Sequence, residues 1–423
     1  MKPILKTLPN GLRLLVIPQP AALTATALVL VGTGSVYESK EESGLSHFLE
    51  HMCFKGTEKL PTAKMVGESF EGIGAISNAF TSTEYTGYFA KGIPKNVPTF
   101  LEVLSDIYLH STLPEAEIQK ERGVIIEEIN MYEDMPQQKV GETLMRLMYG
   151  DQPAGWSIAG TKENVSGFTR KDFVAYKAKH YHAENTLVVV SGAVDPKAVH
   201  ASVKKLFGGL DQSKATKKKK TLITRDGVKL AVVTKHIDQA HIAIGFHSNP
   251  FGHKDRYAVS LLATILGRGL SSRLSQVLRE EMGAAYYVGA GNDAHADYGM
   301  FEISAGIDKQ RVAEIFARIA GILGDMKHTL VSPEELFRAK EFTLGIQRMG
   351  LESRDDLAGV YGVQLIMGAE IRTPADIERS YRAVTAQDIR RVARTIFTTS
   401  NTALAVVGPY ETKDIDTSAF LAL

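Results

Sequence analysis

The chain has 423 residues, of which 23% are charged and 44% hydrophobic, and its formal net charge is +1. This balance excludes a disordered or fibrous chain, and the near-zero charge gives no global field to draw the molecule toward nucleic acid or an anionic membrane. The length suits two domains of about 200 residues, each able to bury a core without covalent staples. The single cysteine, Cys53, excludes an intrachain disulfide framework and cysteine-rich metal sites.

In chain order, residues 1–19 mix Lys2, Lys6 and Arg13 with the turn Pro9-Asn10-Gly11 and lack the unbroken apolar stretch of a signal peptide, so they read as a mature start. Residues 13–18 and 24–32 read as strands. The apolar run 21–31 is too short to cross a bilayer as a helix, and no membrane span is expected. Ser43 is placed to cap a helix over residues 45–54. Residues 79–91 read as a β-rich run, 97–109 as an amphipathic helix, and 114–128 as an acidic helix opened by Pro114. Residues 185–190, closed by Gly192, read as a buried strand. A polar and basic stretch, 211–220, has no apolar periodicity and reads as a linker. Its lysines at 217–220 are expected to be a solvated charge run, so no nucleic-acid or membrane partner is expected.

Three segments recur in the same order. Gly44-Leu45-Ser46-His47-Phe48-Leu49-Glu50-His51 is matched by Gly269-Leu270-Ser271-Ser272-Arg273-Leu274-Ser275-Gln276, which keeps the frame and loses both histidines and the acid. The helix from Pro114 is echoed from Pro333, and the strand from Asn185 is echoed from Asn401. Near-constant separation of the pairs argues for two copies of one fold. The expected architecture is α+β, with two homologous domains at 1–212 and 221–423, linked by 213–220. Each domain is expected to be a largely antiparallel sheet packed with helices.

The first copy carries the chemistry. His47 and His51 stand one helical turn apart, so their imidazoles lie about 40° apart on one face and can ligate one ion. Glu50 flanks the second histidine, where a carboxylate can reach a water beside a metal without occupying the metal itself, as a general base must. This is the inverted zincin pattern. A hydrolytic zinc site takes a third protein ligand. Candidates are Glu117, Glu121, Glu127, Glu128, Glu133 and Asp134. Glu121 and Glu128, seven apart, share one helix face, whereas Glu127 projects about 100° away from Glu128. Cys53 is rotated about 200° from His51 and is expected to be a buried apolar residue.

The motif His47-Phe48-Leu49-Glu50-His51, followed after 76 residues by Glu128, resembles the pitrilysin family of zinc peptidases, close to mitochondrial processing peptidase beta subunits and their bacterial relatives. Residues 44–57, Asn78-Ala79-Phe80-Thr81, 121–128 and 151–161 also look like blocks of that family. The resemblance implies a zinc-dependent endopeptidase acting on unfolded peptides. It makes Glu128 the third ligand, Glu121 an acid supporting the ligands, and the second copy a domain without metal. It also implies that Arg279 and Tyr286 reach a zinc site from the opposite domain, and that Asn78, Ala79 and Phe80 lie on an edge offered to an extended substrate. Members of this size imply a homodimer that shares its active sites. A non-catalytic scaffold, or the partner subunit of a heterodimeric peptidase, is the alternative. A bacterial cytoplasmic location is expected, with an organellar matrix as the alternative.

Overall fold

The computed structural model describes residues 3–423. Among the described residues the strands are β1 Ile4–Thr7, β2 Arg13–Pro18, β3 Ala25–Val31, β4 Ile76–Thr81, β5 Thr86–Gly92, β6 Thr186–Gly192, β7 Lys229–Thr234, β8 Gln239–Ser248, β9 Ala285–Ala294, β10 Gly299–Asp308 and β11 Thr402–Gly408. The helices of the first half are α1 Leu45–Cys53, α2 Ala63–Glu71, α3 Val97–His110, α4 Glu115–Asp134, α5 Pro136–Tyr149, α6 Lys162–Gly167, α7 Arg170–His180 and α8 Pro196–Phe207. Those of the second are α9 Arg256–Gly267, α10 Val312–His328, α11 Pro333–Gly350, α12 Arg354–Ile366, α13 Pro374–Ala383 and α14 Ala386–Ile396, with a π-helix at Ser275–Glu281.

Two compact units form, and each gathers separated segments. Unit 1 holds residues up to Ile129, Ser157–Lys219 and Met349–Ile371; unit 2 holds Asn130–Trp156, Lys220–Arg348 and Arg372–Leu423. The change of unit at Lys219 and Lys220 falls inside the polar stretch, where no helix or strand forms between residues 211 and 226.

The sheet of unit 1 runs β1-β2-β6-β3-β5-β4. β2 and β6 pair in parallel, and the other neighbours pair antiparallel. Its central strands read as near-continuous apolar runs because both faces are covered. Leu14, Val16, Val29, Val31, Val188 and Val190 face a core with Phe48, Phe100 and Leu104. The alternating set, Leu15, Ile17, Leu28, Leu30, Leu187 and Val189, packs against Leu357, Ala358, Tyr361 and Leu365 of α12.

Unit 2 repeats the plan. Its sheet runs β7-β11-β8-β10-β9, again with one parallel pair, β7 with β11, at the same end. Here α5 covers one face through Val140, Leu144 and Met148, packed with Ala243, Ala405 and Val407. The other face packs against α9, α10 and α14 through residues such as Leu262, Phe316 and Ile389. The fold is therefore α+β in two homologous domains, each a largely antiparallel sheet with helices.

The β-rich run of residues 79–91 forms a hairpin, β4 and β5, closed by the Ser82 N–H donating to the Tyr85 carbonyl at 2.8 Å. Two local features differ from the sequence reading. Ser43 does not cap α1; the residue at that position is Gly44, with φ +99°. Lys218 is not simply solvated, because its Nζ pairs with Glu84 at 2.7 Å, with both side chains largely buried.

Candidate metal centre

The site is built on α1, whose buried side chains Leu45, Phe48, Leu49 and Met52 fix its orientation against the core. Gly44 turns the chain into this helix in a left-handed conformation, and a Cβ there would meet the Ala159 carbonyl oxygen at 2.7 Å. The N-terminus is satisfied by a buried carboxylate from six residues earlier. Glu38 accepts the Gly44 N–H at 2.9 Å and the Ser46 N–H at 2.7 Å, filling donors that a helix start leaves open. Ser46 Oγ and the Tyr176 hydroxyl add a bond of 2.6 Å, which ties the first turn to α7.

The turn after Ser46 presents His47 and His51 together, with ring centroids 4.6 Å apart and planes at 70°. α4 is anchored in the same core by Ile118 and Ile125 and brings two acids to them. Glu128 Oε2 lies 3.6 Å from His47 Nε2 and 3.9 Å from His51 Nε2. Donor atoms of His47, His51 and Glu128 all fall within 4.8 Å of one another, the one such cluster of three among the described residues. Glu121 takes the other nitrogen of His51, with Oε1 2.9 Å from Nδ1. Its second oxygen pairs with Lys55 Nζ at 2.5 Å. The Nδ1–Glu121 bond fixes which nitrogen of His51 points inward.

The electrostatics separate the groups. Burial, helped by neighbouring His51, pulls His47 down to about 4, so the ring is neutral and its nitrogen lone pair is free at neutral pH. Burial also lowers His51, but the bond from Glu121 and the charges of Glu50, Glu121 and Glu128 outweigh it and raise the ring. Burial pushes Glu50 up, while the Thr81 hydroxyl, donating to Oε2 at 2.6 Å, pulls it back. Burial raises Glu121 less than His51 and Lys55 lower it, so this acid stays ionised.

Other residues singled out in the sequence fall as follows. Asn78, Ala79 and Phe80 lie on β4, the outer strand of its sheet, which pairs with β5. Arg279 lies in the π-helix, about half exposed, and Tyr286 is the second residue of β9, with 77% of its surface exposed. Both are in unit 2. Glu127 is exposed, and Glu133 pairs with Lys139. Cys53 is fully buried and its thiol is raised by burial, in keeping with a packing role. Sequence reasoning missed Glu38, Lys55 and Thr81. Thr81 carried a usable signal, since it directly follows Phe80 on the strand beside α1, whereas Glu38 could be found only once the loop before Gly44 was folded back.

Two histidines one turn apart, an acid between them and a carboxylate from a second helix define a His-His-Glu donor set of the inverted zincin type. Residues 13–162 match the sequence family described as insulinase, peptidase family M16, and residues 167–342 match the peptidase M16 inactive domain. An uncharacterized zinc protease of Bacillus subtilis, YmxG, is 33% identical over 404 residues, covering 95% of this chain and 97% of that one. An uncharacterized zinc protease of Rickettsia felis is 34% identical over 403 residues, covering 95% and 96%. The crystal structure of a protease from Helicobacter pylori superposes with a TM-score of 0.90 at 27% identity, covering 96% of this chain and 99% of that one. The chain belongs to peptidase family M16, the pitrilysin family of inverted-motif metallopeptidases. Among the described residues, no helix is long and apolar enough to cross a membrane.

Proposed function

We propose that this protein is a zinc-dependent endopeptidase that hydrolyses unfolded peptides, with His47, His51 and Glu128 as metal ligands and Glu50 as general base. The observation that carries this reading is the convergence of those three donors from two helices, with Glu50 beside them.

The donor set fits zinc. Bonds of about 2.0–2.1 Å in tetrahedral geometry put ligand atoms about 3.3 Å apart, and the separations of 3.6 and 3.9 Å need only slight contraction. These separations are too long for hydrogen bonds, so the groups converge without bonding one another. One neutral imidazole, one imidazole aligned by a carboxylate, and one acid leave a coordination position open, as catalytic sites do. Manganese and cobalt suit the same donors less closely.

When bound, zinc supplies Lewis acidity to water and to the scissile carbonyl. Glu50 takes the proton from the attacking water and delivers it to the leaving amine. Its elevated affinity for protons, a consequence of burial, suits both transfers, and Thr81 holds the carboxylate in one rotamer. The outer edge of β4 offers main-chain groups to an extended peptide, with Asn78, Ala79 and Phe80 along it. Backbone pairing favours unfolded substrates over particular sequences.

The reading is tested with a mixed pool of unfolded peptides. Removing metal with a chelator abolishes cleavage, and stoichiometric zinc restores it; cleavage that survives complete metal removal rules the mechanism out. The same reading includes a homodimer in which Arg279 and Tyr286 of a second copy complete the site. A tyrosine hydroxyl and a guanidinium stabilise developing charge on the carbonyl oxygen, and both side chains are exposed enough to act in trans. Mixing the inactive variants Glu50→Gln and Tyr286→Phe then regains part of the activity. A monomer with full activity contradicts the shared site.

A further inference from the structure

We infer that unit 2 carries a pocket for the carboxylate end of a peptide whose last residue is apolar. The choice of a peptide as ligand rests on the peptidase reading; the pocket's preference for an apolar carboxylate does not.

A cavity of about 470 Å³ opens between the end of α9, residues 268–272 and the first turns of α11. Its volume lies within the range of about 300–1,000 Å³ typical of ligand pockets. Ile265, Leu270, Ala339 and Phe342 supply apolar walls, and Arg268 and Arg338 supply charge. Leu270 is 65% exposed and Phe342 41% exposed, so apolar surface is left open here.

The charges decide the sign of the ligand. The one carboxylate in the lining, Glu335, is held by Arg273 through two bonds of 2.8 Å, which matches its charge. Arg268 and Arg338 form no ion pair among the described residues. Arg268 also borders a second cavity of about 370 Å³ containing Asp293 and Glu302 without pairing to either, and Asp293 is engaged by His295 at 3.0 Å. Two unspent guanidiniums, each a planar fork of donors, suit a carboxylate. With no histidine in the lining and its acid occupied, a metal cation has no ligands here.

The walls decide the rest. A bare inorganic anion would leave Leu270 and Phe342 uncovered, whereas a terminal apolar side chain covers them while its carboxylate meets the arginines. The cavity is flanked by the counterpart of the Gly44-Leu45-Ser46 segment and by the counterpart of α4. In the second copy, where the histidines are gone, those elements border an anion pocket.

The test uses the full-length chain carrying Glu50→Gln, so that no cleavage consumes the probe. Fluorescence polarisation compares an N-terminally labelled pentapeptide ending in leucine, as the free acid and as the amide. The expected result is at least about tenfold tighter binding of the acid, in keeping with a charge-assisted bond. Arg338→Ala and Arg268→Ala each bring the acid toward the amide, and Arg338→Lys, which keeps the charge and the fold, lies between. Equal binding of acid and amide overturns the proposal, as does binding indifferent to Arg338→Ala in a variant that melts like the parent. Displacement by inorganic phosphate as readily as by the unlabelled peptide would show a general anion site and overturn the peptide assignment. None of these outcomes depends on whether the wild type cleaves peptides.

Discussion

His180 shows how burial, more than any partner, shapes a residue's chemistry. The ring is fully buried at the end of α7, beside Tyr176 at a centroid distance of 4.4 Å, and neither nitrogen has a hydrogen-bond partner. Burial first, then Lys179 and His182, pull it down to about 3, against about 6.5 in an unfolded chain. Between those values the unfolded state binds more protons, so folding stability is full above about pH 6.5 and falls as pH drops toward 3, by up to about 1.4 kcal/mol per pH unit. His247, lowered to about 4 chiefly by burial, adds a loss of the same sign. Melting temperatures between pH 7 and pH 4 should fall steeply for the parent and less steeply for His180→Phe, which keeps the volume and removes the titration. Parallel curves would contradict this assignment. The candidate metal site uses the opposite device: His51 and Glu121 hold each other charged or oriented at 2.9 Å, and Lys55 completes the chain.

At the scale of elements, α12 belongs to the second half of the sequence yet covers the sheet of unit 1. Without Leu357, Ala358, Tyr361 and Leu365, that face would expose Leu15, Ile17, Leu28, Leu30, Leu187 and Val189. Exposing six aliphatic side chains at about 1.5–3 kcal/mol each costs as much as the stability of about 5–15 kcal/mol typical of a whole domain. A fragment of residues 1–219 is therefore expected to bind a hydrophobic dye and melt without cooperativity, and a peptide of residues 349–371 added to it should restore a cooperative transition. A cooperative, dye-silent fragment on its own would show that the cover is dispensable. The same example marks what the sequence makes legible. β2, β3 and β6 stand out as apolar runs, and α1 shows its one-turn histidine spacing, because those signals are local. The partner of each sheet face is set by tertiary contact, which no local pattern carries. The cap of α1 is a similar case: Ser43 has the right chemistry next to the helix, but the bend at Gly44 lets Glu38 reach both N–H groups instead.

For the molecule as a whole, duplication with divergence explains the division of labour. Apart from the edge strand β1, the two sheets share strand order and the position of their parallel pair, so the offsets between Gly44 and Gly269, and between Asn185 and Asn401, reflect one plan used twice. Only the first copy keeps His47, Glu50 and His51; the second has Ser272, Ser275 and Gln276 at the matching places. The proposed metal ligands were legible because two of them sit on one helix, and resemblance supplied Glu128, which the structure brings to 3.6 Å from His47. The supporting contacts of Glu38 and Lys55 were not legible, since no local pattern shows the fold of the loop before Gly44 or the approach of Glu121 to Lys55. The central claim separates metal binding from proton transfer, and one paired measurement addresses it: zinc content and peptide cleavage of the wild type and of Glu50→Gln. The account predicts about one zinc per chain in both proteins, as three protein ligands require, with cleavage lost in the variant alone. A wild type that binds no zinc, or a Glu50→Gln variant that cleaves at the parent rate, would contradict it.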